Sequence, residues 1–138
     1  MAERIKVVVD TNILVASLSS RSLHHWFIQA LMNDRFDMVV SHDILLEYEE
    51  ILKQKYGTAT ADTFLNALKE LPNVTEYEVF YQWRLLHDAD DDKFVDVAIT
   101  ASALGILTED TDFKILKSVK FPIVNILSLS MFKKMLVR

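Results

Sequence analysis

Short β-branched runs that alternate with helix-periodic segments constrain this chain more than any other feature in it. Residues 5–9 (IKVVV) run into Asp10-Thr11-Asn12 and have the form of a strand buried on both faces. Residues 22–32 read as a helix capped by Ser22, and residues 36–40 (FDMVV) as a second strand. Ser41 then caps the helix HDILLEYEEILKQKY, where Ile44, Leu45, Tyr48, Ile51 and Leu52 recur at helical spacing. A helix over 60–71 stops at Pro72-Asn73, and 74–77 reads as a short edge strand. Residues 91–104 predict a helix ended by Gly105, residues 106–108 a strand, 111–119 a short helix and 123–126 a strand. A final helix runs from 128 to the end. Such alternation predicts one three-layer α/β/α domain over 1–138, with a central, mainly parallel sheet of four to five strands.

The 138 residues suit a single domain, and the apolar runs are too short to span a bilayer. The opening MAERIKVVVD has a charge on each side of its first apolar residue and does not read as a signal peptide. The absence of cysteine excludes thiolate metal sites and disulfides and fits a reducing cytoplasm. Two glycines leave no room for a Gly-rich phosphate loop. Net charge is −5, but from Asp110 onward six basic residues face two acids, so that stretch is positive. It reads either as a solvated helix face or as a surface that tracks phosphates.

In parallel α/β sheets, ligands gather beyond the carboxyl ends of the strands. Asp10 directly follows the first strand, and Asp110 follows the strand at 106–108. Glu47 falls in the second turn of the helix entered from the second strand, and Asp92 in the first turn of the helix at 91–104. Four carboxylates converging without an adjacent lysine or arginine call for a hard divalent cation, Mg²⁺ or Mn²⁺. Acids, metal and water together make a phosphodiester hydrolase site.

Other roles compete at each position. Asp10 could only start an Asx turn, and Glu47 could be a solvated helix residue beside Glu49 and Glu50. Asp88, Asp90 and Asp91 read as loop and N-cap residues, and Asp112 as a helix-flanking residue. Asp92 and Asp96 share one face bordering Val95, Ala98, Ile99 and Ser102, which makes Asp96 a supporting candidate. A calcium loop starting at Asp88 would need Gly and Glu where Lys93 and Ile99 stand, so that reading fails. The four histidines form no ligand pair, and no serine sits in a nucleophile-elbow context.

The pieces VVVDTNILVASL, VVSHDILLEYEEIL, DADDDKFVDVAITASALGILTEDTDF and FPIVNILSLSMF resemble, in this order, the PIN domain nucleases, including the VapC-like toxins of toxin–antitoxin pairs. By position, the family's acids match Asp10, Glu47, Asp92 and Asp110, with Asn12 as the supporting amide; Thr108 is expected to orient carboxylates beside it. The resemblance implies Mg²⁺- or Mn²⁺-dependent cleavage of single-stranded RNA, usually by a homodimer. It further implies a partner antitoxin that blocks the site. The alternative is a PIN-like protein-binding module with weak or no catalysis. The chain departs from many members in having few basic residues near the proposed site, namely Lys93 and Lys114.

Overall fold

The computed structural model of the protein describes residues 4–137. The first three residues of the opening weighed against a signal peptide, and Arg138 of the basic tail, lie outside them. Five strands form one parallel sheet: β1 (Lys6–Val9), β2 (Asp37–Val40), β3 (Val74–Glu76), β4 (Gly105–Leu107) and β5 (Ile126–Leu127). Their order is β3-β2-β1-β4-β5, so β1 is central and its Val7, Val8 and Val9 are wholly buried. Helices flank the sheet on both faces, giving the three layers expected from the alternation. No helix among the described residues is long and apolar enough to cross a membrane.

The helices are α1 (Thr11–Ser17), α2 (His25–Met32), α3 (His42–Tyr56), α4 (Thr58–Glu70), α5 (Asp92–Thr100) and α6 (Leu129–Leu136), with a 3₁₀ helix over Thr111–Ser118. Helix α1 has no counterpart in the sequence reading. Five of its seven residues are buried, so it shows no amphipathic period to detect. Ser22 does not cap α2, because its hydroxyl accepts from the His24 amide in a local turn and the helix begins at His25. Ser41 does cap α3, its Oγ accepting from the Ile44 amide at 3.3 Å. Gly57, at φ 88°, joins α3 to α4 without a loop.

Asn73 serves as more than a helix stop. It is buried, and its side-chain amide donates to the carbonyls of Leu31 and Phe36 while its own carbonyl accepts from Met38. One residue therefore ties the end of α2 and the β3-facing edge of β2 to the turn before β3. The short helix expected over 111–119 is a 3₁₀ helix, and the fifth strand is shorter and later than 123–126.

Gly105 is also reassigned. Helix α5 ends earlier, where Ser102 takes a left-handed conformation at φ 52° and the Ala103 amide reaches back to Ala98. Gly105 instead begins β4, where a Cβ would lie 2.7 Å from the Asn125 carbonyl oxygen. Gly105→Ala is therefore expected to force β4 and the approach to β5 apart, lowering stability by about 1–3 kcal/mol in urea unfolding. An unchanged midpoint would contradict the close packing described.

Candidate active site

The parallel ladder sets β1 and β4 side by side, with Val9 opposite Leu107, so the residues that follow them meet beyond the strand ends. Asp10 is 7% exposed, and it begins α1 without capping it. Its Oδ2 accepts from the Thr108 hydroxyl at 2.7 Å. That hydroxyl also accepts from the Asp110 amide at 3.0 Å, so Thr108 joins the two strand-end acids. Asp110 in turn caps the 3₁₀ helix by accepting from the Asp112 amide at 2.9 Å.

Glu47 reaches the same place from α3. Its Oε2 accepts from the Thr11 hydroxyl, and its Oε1 lies 2.7 Å from the ammonium of Lys93. The expectation of acids without an internal counter-charge is thus corrected, because Lys93 on the first turn of α5 pairs with Glu47.

The carboxylate cluster at Asp110 contains Asp91 and Asp112, and the expected Asp92 does not join it. Asp91, just before α5, brings a carboxylate oxygen within 4.8 Å of oxygens of Asp110 and Asp112. Its carboxyl is pushed up to about 6 by desolvation and then by the charges of Asp88, Asp110, Asp10 and Glu47. Asp92 points elsewhere: its Oδ1 accepts from the Leu86 amide at 3.0 Å, and its charge falls on Asp96. Asp96 likewise accepts from the Trp83 amide at 3.0 Å. The reason is helical phase. Asp91 stands three, four and seven positions before the buried Phe94, Val95 and Ala98, and so heads the face turned to the sheet. Including Phe94 in the apolar stripe is the signal that would have selected Asp91. Asn12 is exposed on the first turn of α1, and no carboxylate among the described residues accepts from it.

The opposite ligands of a magnesium ion, each about 2.0–2.1 Å from it, lie roughly 4.2 Å apart. The oxygens of Asp91, Asp110 and Asp112 can come that close with small side-chain adjustments, and an all-carboxylate donor set suits a hard cation. The residues therefore fit a divalent ion. Beside them, Glu47 and Lys93 border a broad groove of about 1470 Å³ that runs past Glu76, Phe80, Arg84 and Asp90. That exceeds the roughly 300–1,000 Å³ of a small-molecule pocket.

The sequence pattern of the PIN domain family matches residues 6–112. The chain belongs to the PIN domain family. Its fold is similar to that in the crystal structure of VapBC2 from Rickettsia felis bound to a DNA fragment from the promoter. The TM-score there is 0.62 at 14% identity, covering 90% of this chain and 98% of that one. VapC20 of Mycobacterium tuberculosis, described as a Sarcin-Ricin loop cleaving toxin, is similar at a TM-score of 0.59 and 18% identity, covering 78% and 92%. The PIN domain endonuclease Utp24 is similar at 0.54 and 18% identity, covering 90% and 84%. Among curated proteins, none matches the chain. PIN nucleases use divalent metal ions, in keeping with the carboxylate cluster found at the strand ends of this member.

Burial also raises Asp10 from its ordinary value, the Thr108 hydroxyl opposing the effect and Asp110 and Glu47 adding to it. Folded Asp91 keeps its proton up to about pH 6, whereas an unfolded aspartate loses it near 4. The folded state therefore binds the extra proton in that window, and this group's contribution weakens stability as pH rises through it. The melting temperature of Asp91→Asn minus that of the wild type, both metal-free, should grow from pH 4 to pH 7. A difference independent of pH would show that Asp91 is not held among the other acids.

Proposed function

We propose that the protein is a metal-dependent ribonuclease, hydrolysing phosphodiester bonds of single-stranded RNA with Mg²⁺ or Mn²⁺. The observation that carries this reading is the meeting of Asp91, Asp110 and Asp112 oxygens beside the buried Asp10. Asp10, Asp91 and Asp110 would hold the ion, with Asp112 within its reach. A bound divalent ion supplies charge relief at the phosphate and lowers the pKa of a coordinated water. Glu47, braced between Thr11 and Lys93, orients the attacking water and receives its proton at a carboxylate oxygen. Thr108 keeps the Asp10 carboxylate turned toward the site. Asp92 and Asp96 act outside this centre, fixing the segment over 77–86 against α5.

The family and the neighbours VapBC2 and VapC20 support a role as the toxin of a toxin–antitoxin pair. As such a toxin it would act as a homodimer in the cytoplasm, held inactive by a protein antitoxin. The second reading, a docking module with weak or no catalysis, is favoured by the broad groove. Eight of its lining residues are acidic, against Arg84 and Lys93. A catalytic phosphate path through such a groove would be repulsive, whereas a basic protein segment would not.

The two readings separate in one experiment. Mn²⁺-dependent cleavage of a single-stranded RNA should fall by more than about 100-fold in Asp110→Asn and Asp91→Asn, beyond the loss expected from an outer-sphere change. Thr108→Val should cost about 10- to 100-fold, and Asp92→Asn should leave most of the activity. No cleavage by the wild type, with no Mn²⁺ binding by calorimetry, would favour the docking module. Full activity in Asp91→Asn with loss in Asp92→Asn would return the third ligand to Asp92.

A further inference from the structure

Residues 77–86 follow β3 as a strap outside the sheet, joined to β2 by the Tyr77 amide at the Val40 carbonyl and turned at Arg84, whose φ is 54°. Phe80, Gln82 and Arg84 line the acidic groove, while Tyr81 and Trp83 do not. Those two turn to the other side, where the rings of Tyr81 and Trp83 meet at 4.7 Å, and Trp83 meets Phe121 at 6.3 Å, both edge to face. Phe121 is 81% exposed and Tyr81 62%, so their ring faces stand open to solvent.

A second feature leads to the same trio. The 3₁₀ helix begins at the carboxylate centre, at Asp110 and Asp112, and every third residue of such a helix falls on one line. Lys114 and Lys117 occupy one such line, and Lys120 follows just before Phe121; all three are exposed. None of them forms an ion pair among the described residues. From Phe113 to the end of the chain no acidic residue occurs. Eight residues at about 2.0 Å each carry this track roughly 16 Å from the acids.

We infer that Lys114, Lys117 and Lys120, with the Tyr81–Trp83–Phe121 trio, form a binding platform for single-stranded nucleic acid leading out of the carboxylate centre. The inference rests on the ribonuclease reading for its substrate. A polyanion anchored at the centre meets two surfaces of opposite charge. The groove on the far side of the strap is lined by eight acids and two strong bases, which repels phosphates. The lysine line attracts them, and the open rings at its end accept unpaired bases by stacking, a contact every base can make.

The test uses a fluorescein-labelled 12-nucleotide single-stranded RNA and the corresponding duplex, in EDTA so that no cleavage occurs. Fluorescence anisotropy should show preference for the single strand, with Phe121→Ala and, separately, Tyr81→Ser weakening it by about tenfold. Lys117→Gln combined with Lys120→Gln should reduce the log–log salt slope by about 1.4. Both aromatic positions are exposed, and circular dichroism checks their folding. Unchanged affinity and slope in folded variants overturns the platform even if Mn²⁺-dependent cleavage by the wild type stands. The converse, weakened binding in the variants of a wild type that never cleaves RNA, upholds the platform and removes the ribonuclease reading. If Phe121→Ala instead converts a dimer to a monomer in sedimentation without changing RNA affinity, the surface is a contact between copies of the chain and the proposal fails.

Discussion

The arrangement of the site depends on how a buried carboxylate at the end of β1 is made tolerable. An ionised Asp10 without partners in that position would cost several kcal/mol. The Thr108 hydroxyl at the adjacent strand end meets the need, and the parallel register alone puts it there. Two more hydroxyls extend the same scheme. Tyr48, fully buried in α3, donates to the Val9 carbonyl just before Asp10, and Thr11 just after it donates to Glu47. The helix that carries Glu47 is thereby keyed to the strand that carries Asp10. The Asp10 and Glu47 carboxylates are positioned by neutral hydroxyl groups, and Lys93 pairs with Glu47.

How much of this was legible follows from the geometry of each element. Asp10, Glu47 and Asp110 could be placed because each is counted from a sharp local signal: a strand end, a Ser cap, and a short strand followed by a Thr. Asp91 could not be placed with the same security. A helix turns about 100° per residue, so a phase error of one position sends the side chain to a different neighbour. Four aspartates in five positions offer no composition contrast to correct that error. Burial of Phe94 does correct it, and burial is a tertiary property that a run of mixed apolar residues only partly reveals.

The features that escaped the sequence share a physical cause. Helix α1 is buried nearly all round, and its Ile13 and Val15 favour strands by propensity, so only packing makes it helical. The 3₁₀ character of Thr111–Ser118 and the glycine requirement at residue 105 come from how closely the chain passes β5, through contacts far away in sequence. The strap over 77–86 has no periodic neighbour at all, and it is held by α5 carboxylates that a linear reading assigns to chemistry.

That last substitution of roles explains how one Asp-rich run serves two ends. Asp91 and Asp92 leave the chain about a quarter-turn apart, one toward the strand ends and one toward the strap. With Asp96 a turn further on, Asp92 accepts backbone amides of the strap and fixes which of its residues face which side. Tyr81 and Trp83 thus lie outside the acidic groove that Phe80, Gln82 and Arg84 line. Net charge then says little about the partner: the negative charge is concentrated around the groove and the centre, and the positive charge runs along the 3₁₀ helix and beyond. A chain of phosphates responds to that local sorting, because at physiological salt charges more than about 8 Å away are largely screened.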